Sequence, residues 1–214
     1  LYDQRSKEIC KSIIQKRINK EMDYSDLAKE VSQQYFDDEI VSCQINESFV
    51  DAGAFDGATS VEFAKWAKKG YEKIVIYEPM KENIVNVEHT VRNLKNVEIH
   101  NKALWNKKEL LQFSFDGAGS SIDKNGITVE AEPLDPDSKV TFVKMDIEGA
   151  EMNALEGMKS IIMEQKPKLA ICIYHLYDDL WNIPKYIHEL VPEYRLYMRH
   201  YSKINEETVI YAIL

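Results

Sequence analysis

The stretch Val50-Asp51-Ala52-Gly53-Ala54-Phe55-Asp56-Gly57 follows a short buried-strand pattern and precedes a helical one. Glycine at 53 permits a tight turn and the close approach of a ligand, and glycine at 57 lets the start of the helix pack against the strand. A strand, a glycine-bearing turn and a helix in this order bind cofactors in open α/β folds. We therefore assign Gly53, Phe55 and Gly57 to a cofactor site.

The Asp51 carboxylate discriminates among the cofactors of such folds. Nicotinamide-binding folds show G-x-G-x-x-G at this turn, because the bare helix N-terminus must receive a pyrophosphate anion. Here the spacing is G-x-x-x-G, and an acid stands at the strand tip. A carboxylate there repels pyrophosphate but suits the ammonium end of an amino acid, which points to S-adenosylmethionine. A nicotinamide-dependent oxidoreductase and a non-catalytic protein of this fold stay open as alternatives.

Two polar residues after the next strands extend the predicted cofactor site. Glu78 ends the second strand pattern and lies 21 residues beyond Gly57. An acid at that position accepts hydrogen bonds from a ribose diol, in a nicotinamide site as well as in an S-adenosylmethionine site. Asn101 follows the third strand, so its amide is a candidate contact for the adenine edge.

From residue 48 onward, short apolar runs alternate with helical patterns, which predicts an α/β fold with a mostly parallel sheet. The strand-like runs are 49–50, 74–77, 97–99, 140–145 and 169–174, and the helical patterns between them include 59–69, 84–94 and 152–162. The runs 194–201 and 208–214 predict a closing antiparallel hairpin. A small extra hairpin is expected from 110–115 and 127–129, with a Gly-Ser loop at 116–121.

The first 47 residues show a different pattern. Isoleucines at 9, 13, 14 and 18 recur at helical spacing, and so do Leu27, Val31 and Tyr35. We therefore predict two helices over residues 1–47, serving either as a cap on a sheet edge or as a lid over a cleft. Residues 48–214 are the predicted cofactor-binding domain.

The predicted fourth strand ends in Lys144-Met145-Asp146-Ile147-Glu148-Gly149-Ala150-Glu151. In open α/β sheets, ligands bind at the carboxyl ends of the strands, so these acids are expected to face the cofactor crevice. Strand alternation predicts Asp146 and Glu148 on one side, as catalytic candidates or as ligands for Mg²⁺, and adds Asp146 to the cofactor contacts. Glu151 also suits the N-terminus of the following helix.

His175 follows the predicted fifth strand, at the same predicted edge. Its ordinary pKa, about 6.5, suits proton removal near neutral pH, which makes it a candidate base. His200, near the end of the sixth strand pattern, is a weaker candidate. The competing interpretation for both is a structural histidine satisfied by backbone groups.

Composition narrows the function classes. The 214 residues carry 27 Lys+Arg and 36 Asp+Glu, a formal charge of −9, which disfavours nucleic acid as the main partner. No window contains 18 uninterrupted apolar residues, and the three cysteines have no metal-ligand or redox spacing. We therefore expect a soluble, cytoplasmic protein with reduced thiols and a small-molecule or saccharide substrate. Leu1 is not an initiator methionine, so a longer parent chain is expected.

Together these residues resemble the FkbM-type family of S-adenosylmethionine-dependent methyltransferases. The matching motifs are the 49–57 turn, Tyr77-Glu78-Pro79, Asn101-Lys102-Ala103-Leu104, Gly119-Ser120-Ser121 and, most specific, residues 144–151. The resemblance spans residues 48–214. It implies a Rossmann-like, seven-stranded methyltransferase fold and O-methylation of a sugar or polyketide hydroxyl. Similarity of the closing segment implies a role in polysaccharide biosynthesis, and some enzymes of this architecture use Mg²⁺.

Overall fold

The structure, a computed structural model, describes the backbone of residues 1–116, 119–122 and 126–214, and the side chains outside 113–125. The helices are α1 Gln4–Asn19, α2 Ala58–Trp66, α3 Lys81–Val91, α4 Glu151–Gly157, α5 Lys159–Gln165 and α6 Asp179–Leu190. The strands are β1 Glu47–Ala52, β2 Tyr71–Tyr77, β3 Val97–His100, β4 Ala103–Leu104, β5 Glu109–Asp116, β6 Gly119–Ile122, β7 Ile127–Glu132, β8 Phe142–Met145, β9 Lys168–Cys172, β10 Arg195–His200 and β11 Thr208–Ile213. The chain forms two compact units. The larger unit is Cys43–Pro167, and the smaller unit combines Leu1–Ser42 with Lys168–Leu214.

The larger unit, Cys43–Pro167, contains four parallel strands in the order β8-β1-β2-β3. All six residues of β1 are buried, as expected for a central strand covered on both faces. Its Phe49 stacks on Phe63 of α2 at 4.2 Å between ring centroids and lies against Phe142 of β8. Aromatic packing thus fixes the strand that leads into the glycine loop, which comprises residues 53–57 between β1 and α2.

A second sheet in the larger unit has the order β4-β7-β5-β6. The predicted pairing of the 110–115 and 127–129 runs corresponds to the antiparallel pair β5 and β7. The predicted Gly-Ser loop is not a loop throughout, because residues 119–122 form β6 and pair with β5. Its side chains, including those of the Gly-Ser-Ser motif, lie outside the described residues.

The smaller unit, Leu1–Ser42 with Lys168–Leu214, contains β10, β11 and β9 in that order. Strand β11 runs antiparallel to both of its neighbours, which confirms the closing hairpin. These three strands and the four of the larger unit are the seven strands of the main sheet, as the family resemblance implied. The interpretation as an α/β fold with a mostly parallel sheet is therefore confirmed.

The second of the two predicted N-terminal helices does not form. Helix α1 is present, but residues 20–46 contain no α-helix and have instead a 3₁₀ turn at Val31–Gln33 and a bridge from Ala28 to His200. Instead, Asp37 is fully buried, accepts a hydrogen bond from Tyr201 at 3.0 Å and pairs with Lys29 at 2.7 Å. These contacts hold the segment in an irregular path that helical spacing could not reveal. The compact units also divide the chain differently from the predicted 1–47 and 48–214.

Asp3 caps α1 and forms an ion pair with Arg199 of β10, with 2.6 Å between Asp3 Oδ2 and an Arg199 Nη. Burial opposes ionisation, but hydrogen bonds from Arg199 and Ser6 hold the pKa of Asp3 at about 2. A depressed pKa stabilises the folded state above the unfolded value of 3.8, and that stability is lost as the pH falls toward 2. The pair therefore favours the fold across the neutral range.

Asp3→Asn keeps the cap but removes the charge, so we expect it to lower the free energy of unfolding by about 1 kcal/mol at pH 7, after allowance for solvent screening. The difference from the unsubstituted protein should shrink as the pH falls from 3.8 toward 2. Urea denaturation at several pH values measures it. A difference that is the same at every pH would contradict the ion-pair explanation.

No helix in the described part of the chain is both long enough and apolar enough to cross a membrane.

Candidate cofactor site

The glycine loop of the larger unit lies directly against the loop that follows β8. Gly53 adopts φ +79°, and a Cβ at this position would lie 1.8 Å from the backbone oxygen of Asp146. Backbone hydrogen bonds tie the strand tips together, because the Gly53 N–H donates to Tyr77 and the Asp146 N–H donates to Ala52. A side chain at 53 is therefore excluded by the protein itself.

Gly57 has a different neighbour from the predicted one. It begins α2 at φ +83°, and a Cβ here would contact Val91 and Val87 of α3 at 3.2 and 3.3 Å. The small residue thus allows α2 to approach a helix, whereas the sequence pattern predicted packing against a strand.

The Asp51 carboxylate is fully buried and already engaged. Its Oδ2 accepts a hydrogen bond from Ser60 at 2.7 Å, and its Oδ1 lies 3.1 Å from the Lys144 ammonium. The Asp51–Lys144 contact is an ion pair, while the directed hydrogen bonds of Lys144 go to backbone carbonyls. Asp51 Oδ1 accepts no hydrogen bond from the described residues, but a cofactor ammonium placed against it would lie close to the Lys144 ammonium, and the two like charges would repel each other. The sequence did not reveal this cost.

The Glu78 carboxylate joins the tip of β2 to the glycine loop. It accepts hydrogen bonds from the N–H groups of Phe55 and Met80, both at 2.9 Å, and from the Asn83 amide at 3.2 Å. Burial raises its pKa, against the effect of these donors. A carboxylate offers about four lone-pair positions, so the geometry leaves capacity for a ribose hydroxyl.

Asn101 has a structural role in addition to the predicted one. Its Nδ2 donates to the carbonyls of Glu78 and Pro79, both at 3.0 Å. The amide nitrogen therefore fixes the backbone around Glu78. The contact with an adenine edge stays a prediction, and the Asn101 Oδ1 atom would make it.

Phe55 is 69% exposed and adopts φ +52°, a conformation that bulky residues rarely take. The strain is of the kind that persists at functional sites. Because the Phe55 N–H donates to Glu78, the same residue presents an aromatic ring beside the predicted ribose site. We interpret the ring as a contact for the cofactor.

Phe55→Asn relieves this strain, because asparagine tolerates the left-handed region. We expect the free energy of unfolding to rise by about 0.5–1 kcal/mol and the affinity for S-adenosylhomocysteine to fall about fivefold as the ring contact is lost. Calorimetry and urea denaturation measure the two effects. Phe55→Ala is the control, since it loses the ring but keeps the strain. An asparagine variant that binds as tightly as the parent would contradict a ring contact.

The acidic loop after β8 departs from the predicted alternation. Strand β8 ends at Met145, so Asp146 and Glu148 lie in a loop where the two-residue period does not apply. Glu148 is at φ +59° and the following glycine at φ +89°. Glu151 is fully buried and accepts a hydrogen bond from the Ile147 N–H at 2.9 Å, which orders this loop.

The two predicted Mg²⁺ ligands, Asp146 and Glu148, differ in the candidate ligands around them. Among the described residues, no set of three candidate ligand atoms within 4.8 Å of one another includes Glu148, although Asp146 belongs to such sets. Asp146 is half-buried.

The chain from residue 51 to 204 matches the model of the methyltransferase FkbM domain family. The protein belongs to the FkbM methyltransferase family. A solved FkbM methyltransferase from Methylobacillus flagellatus KT is 25% identical, with a TM-score of 0.86 over 100% of this chain and 56% of that one. The present chain thus spans little more than half of that relative's length. No curated protein matches the chain.

Other solved methyltransferases share the fold of this FkbM family member. A SAM-dependent methyltransferase from Aquifex aeolicus is 18% identical, with a TM-score of 0.52 over 88% of this chain and 95% of that one. An rRNA methylase from Streptococcus thermophilus is 15% identical, with a TM-score of 0.51 over 79% and 87% of the two chains. At these identities the likeness concerns the fold alone. Family membership decides against the nicotinamide-dependent oxidoreductase.

The smaller unit of this family member contains the candidate base. His175 follows β9, is half-buried and has its ring 4.0 Å from that of Tyr174. His200 is fully buried, bonds Thr208 through Nδ1 at 2.8 Å and has a pKa lowered by burial, which favours a structural role.

Sequence reasoning missed a polar cluster in the same unit. Glu207, at φ +63°, accepts hydrogen bonds from the amide of Gln34 and from the hydroxyl of Tyr174. Tyr35 is also strained, at φ +67°, and its hydroxyl lies 3.5 Å from Cys172 Sγ. The strained backbone at these two non-glycine residues and the contacts between distant segments are invisible in the sequence, so no sequence signal could have found the cluster.

Proposed function

We propose that the protein transfers a methyl group from S-adenosylmethionine to a hydroxyl of a sugar, a polysaccharide precursor or a similar small metabolite in the cytoplasm. The observation that supports the cofactor most directly is the buried Glu78 carboxylate, bonded to the glycine loop of an FkbM-family fold. The residues fit such a cofactor: Glu78 keeps lone-pair capacity for the ribose, and Phe55 and Asn101 are placed beside it to contact the remainder.

Exposed aromatic rings support a saccharide as the acceptor. Tyr177 and Trp181, two and six residues after His175, are 68% and 47% exposed and meet edge-on at 5.6 Å between ring centroids. The Arg17 guanidinium lies over the Tyr177 ring at 5.4 Å, and Asn182 donates to Asp178 at 2.7 Å. Exposed rings flanked by hydrogen-bonding groups suit the apolar faces and hydroxyls of a sugar.

The bound cofactor supplies an electrophilic methyl carbon on a sulfonium. The chain's contribution is to hold the acceptor oxygen in line with that carbon, which accounts for most of the acceleration in such displacements. The acceptor hydroxyl must also lose its proton. His175 is the proposed base, and Asp146 and Glu148 are the proposed acceptor-orienting groups, with Asp146 also near the cofactor.

His175→Asn is expected to lower turnover about 10²–10⁴-fold, because a general base contributes that much. The affinity for S-adenosylhomocysteine should stay unchanged. Calorimetry and a methyl-transfer assay measure the two quantities. His188→Asn is the matched control, since His188 is exposed on α6. Equal turnover in both variants would reject His175 as the base.

Transfer of a radiolabelled methyl group to a panel of substrates tests the proposal. The panel contains free monosaccharides, bacterial oligosaccharides and ribosomal RNA. We expect labelled saccharide, since a net charge of −9 disfavours a phosphate-rich acceptor. Labelled RNA would overturn the acceptor class, and cofactor binding without transfer to any substrate would favour a non-catalytic role. A parallel reaction after EDTA treatment decides whether a Mg²⁺ ion at Asp146 and Glu148 takes part.

A further inference from the structure

Lys144 is a buried cation on β8, the strand that pairs with β1 in the larger unit. Its side chain is 2% exposed, and its residue lies opposite Asp51 in the register of β1 and β8. The ammonium donates to the carbonyls of Ala52 at 3.2 Å and Gly53 at 2.6 Å, and it lies 3.1 Å from Asp51 Oδ1. The two carbonyls accept hydrogen bonds from the ammonium, whereas the contact with Asp51 Oδ1 is an ion pair without a directed hydrogen bond.

The two carbonyls belong to the residues where β1 becomes the glycine loop. A peptide group is planar and trans, so its C=O and N–H point in opposite directions. Fixing the Gly53 carbonyl on Lys144 therefore directs the Ala54 N–H away from the ammonium. The Ala52 carbonyl also accepts the Asp146 N–H at 3.1 Å, so the same contact orders the turn and the acidic loop.

We propose that Lys144 is a positioning residue for the cofactor loop, and that Asp51 is its counter-ion and does not bind the cofactor's ammonium group. The inference rests on the proposed use of S-adenosylmethionine. Lys144 holds the carbonyls of Ala52 and Gly53, and the resulting turn presents the Ala54 N–H to the cofactor, while the N–H groups of Gly53 and Phe55 donate to Tyr77 and Glu78. Asp51, held by Ser60 on its other oxygen, makes the buried ammonium tolerable.

A competing explanation is that Lys144 only balances the charge of Asp51 in the core. The two explanations diverge when both charges are removed together. Lys144→Met alone leaves a buried, unpaired carboxylate, and we expect a large loss of thermal stability. The double variant Asp51→Asn/Lys144→Met is neutral and should recover most of that loss. Loss of the Lys144 charge also acts on Glu78, whose pKa the ammonium lowers. Loop positioning alone predicts that the recovered methionine variant binds poorly and that an uncharged donor at 144 restores part of the affinity.

The experiment measures S-adenosylhomocysteine binding by calorimetry, with the melting temperature recorded for each variant. We expect Asp51→Asn to bind within about threefold of the parent, since Lys144 still holds the carbonyls. We expect Asp51→Asn/Lys144→Met to bind at least about tenfold more weakly, because two hydrogen bonds from a charged donor are lost. Asp51→Asn/Lys144→Gln, which restores an N–H donor, should bind more tightly than the methionine double variant.

Parent-like affinity in the methionine double variant would overturn the positioning role, and so would equal affinities in the two double variants. A large loss in Asp51→Asn alone would return Asp51 to direct contact with the cofactor. If the methionine double variant does not fold, the affinity of Asp51→Asn still tests whether Asp51 is only a counter-ion. The affinity of the glutamine double variant then tests whether a donor at 144 positions the loop. Failure of the unsubstituted protein to bind S-adenosylhomocysteine would instead count against the proposed function.

Discussion

Gly53→Ala is expected to lower the free energy of unfolding by roughly 2–5 kcal/mol, the sum of a left-handed backbone penalty and overpacking. The new methyl group would lie 1.8 Å from the backbone oxygen of Asp146, and backbone atoms cannot rotate away as a flexible side chain can. Relief of this collision must separate the glycine loop from the acidic loop. We therefore also expect S-adenosylhomocysteine binding to disappear in calorimetry at concentrations that saturate the parent.

Gly70→Ala is the matched control for this substitution. Gly70 is in the same backbone region, at φ +88°, but a Cβ there would meet nothing within 4 Å. It should cost only the backbone penalty, about 1–2 kcal/mol, and leave cofactor binding intact. Equal losses of stability and binding in the two variants would mean that conformation alone, without the collision, explains the effect at 53.

Glu78→Ala has the second large expected effect, a loss of S-adenosylhomocysteine affinity of about 10–100-fold or more, the range for hydrogen bonds to a charged group. The substitution removes the predicted ribose acceptor and also leaves the N–H groups of Phe55 and Met80 without their carboxylate partner. Both consequences reduce affinity, so the loss should exceed that of a single contact. Titration calorimetry measures it directly.

Glu88→Ala provides the comparison for Glu78, because Glu88 is an exposed acid on α3 of the same unit. It should bind S-adenosylhomocysteine like the parent. Full-strength binding by Glu78→Ala would remove the ribose assignment. To separate the ribose contact from loop ordering, Asn83→Ala deletes one donor to Glu78 and should change affinity only slightly.

Local patterns predicted the parts of the fold in which neighbours along the chain determine structure. The buried β-branched runs found the central strands, and the closing hairpin followed from two extended runs with a polar turn. Helix α6 was missed because it contains Pro184, which ordinarily interrupts a helix. The 152–162 pattern predicts one helix, but the structure has two helices there, α4 and α5, which are separated at Met158.

The strand-tip positions of the candidate residues could be predicted from the sequence, but their contacts could not, and their roles stay predictions. The sequence placed Asp51, Glu78 and the 144–151 acids at strand tips, since chain order in a parallel sheet implies that edge. It could not reveal that Lys144 lies opposite Asp51, because strand register depends on packing between distant segments. The same limitation hid the bond from Asn101 to the β2 tip.

The two compact units differ in the continuity of their chain, which has a consequence for folding during translation. The larger unit is continuous from Cys43 to Pro167, whereas the smaller unit combines Leu1–Ser42 with Lys168–Leu214. During translation, every strand of the larger unit leaves the ribosome before β11 has been made, so the glycine loop and Glu78 can assemble early. Residues 1–42 must wait for Tyr201 and Tyr211, which bond Asp37 and Tyr35. Synthesis from the N-terminus therefore favours an order in which the larger unit, with the proposed cofactor site, folds first and the smaller unit, with His175, folds last.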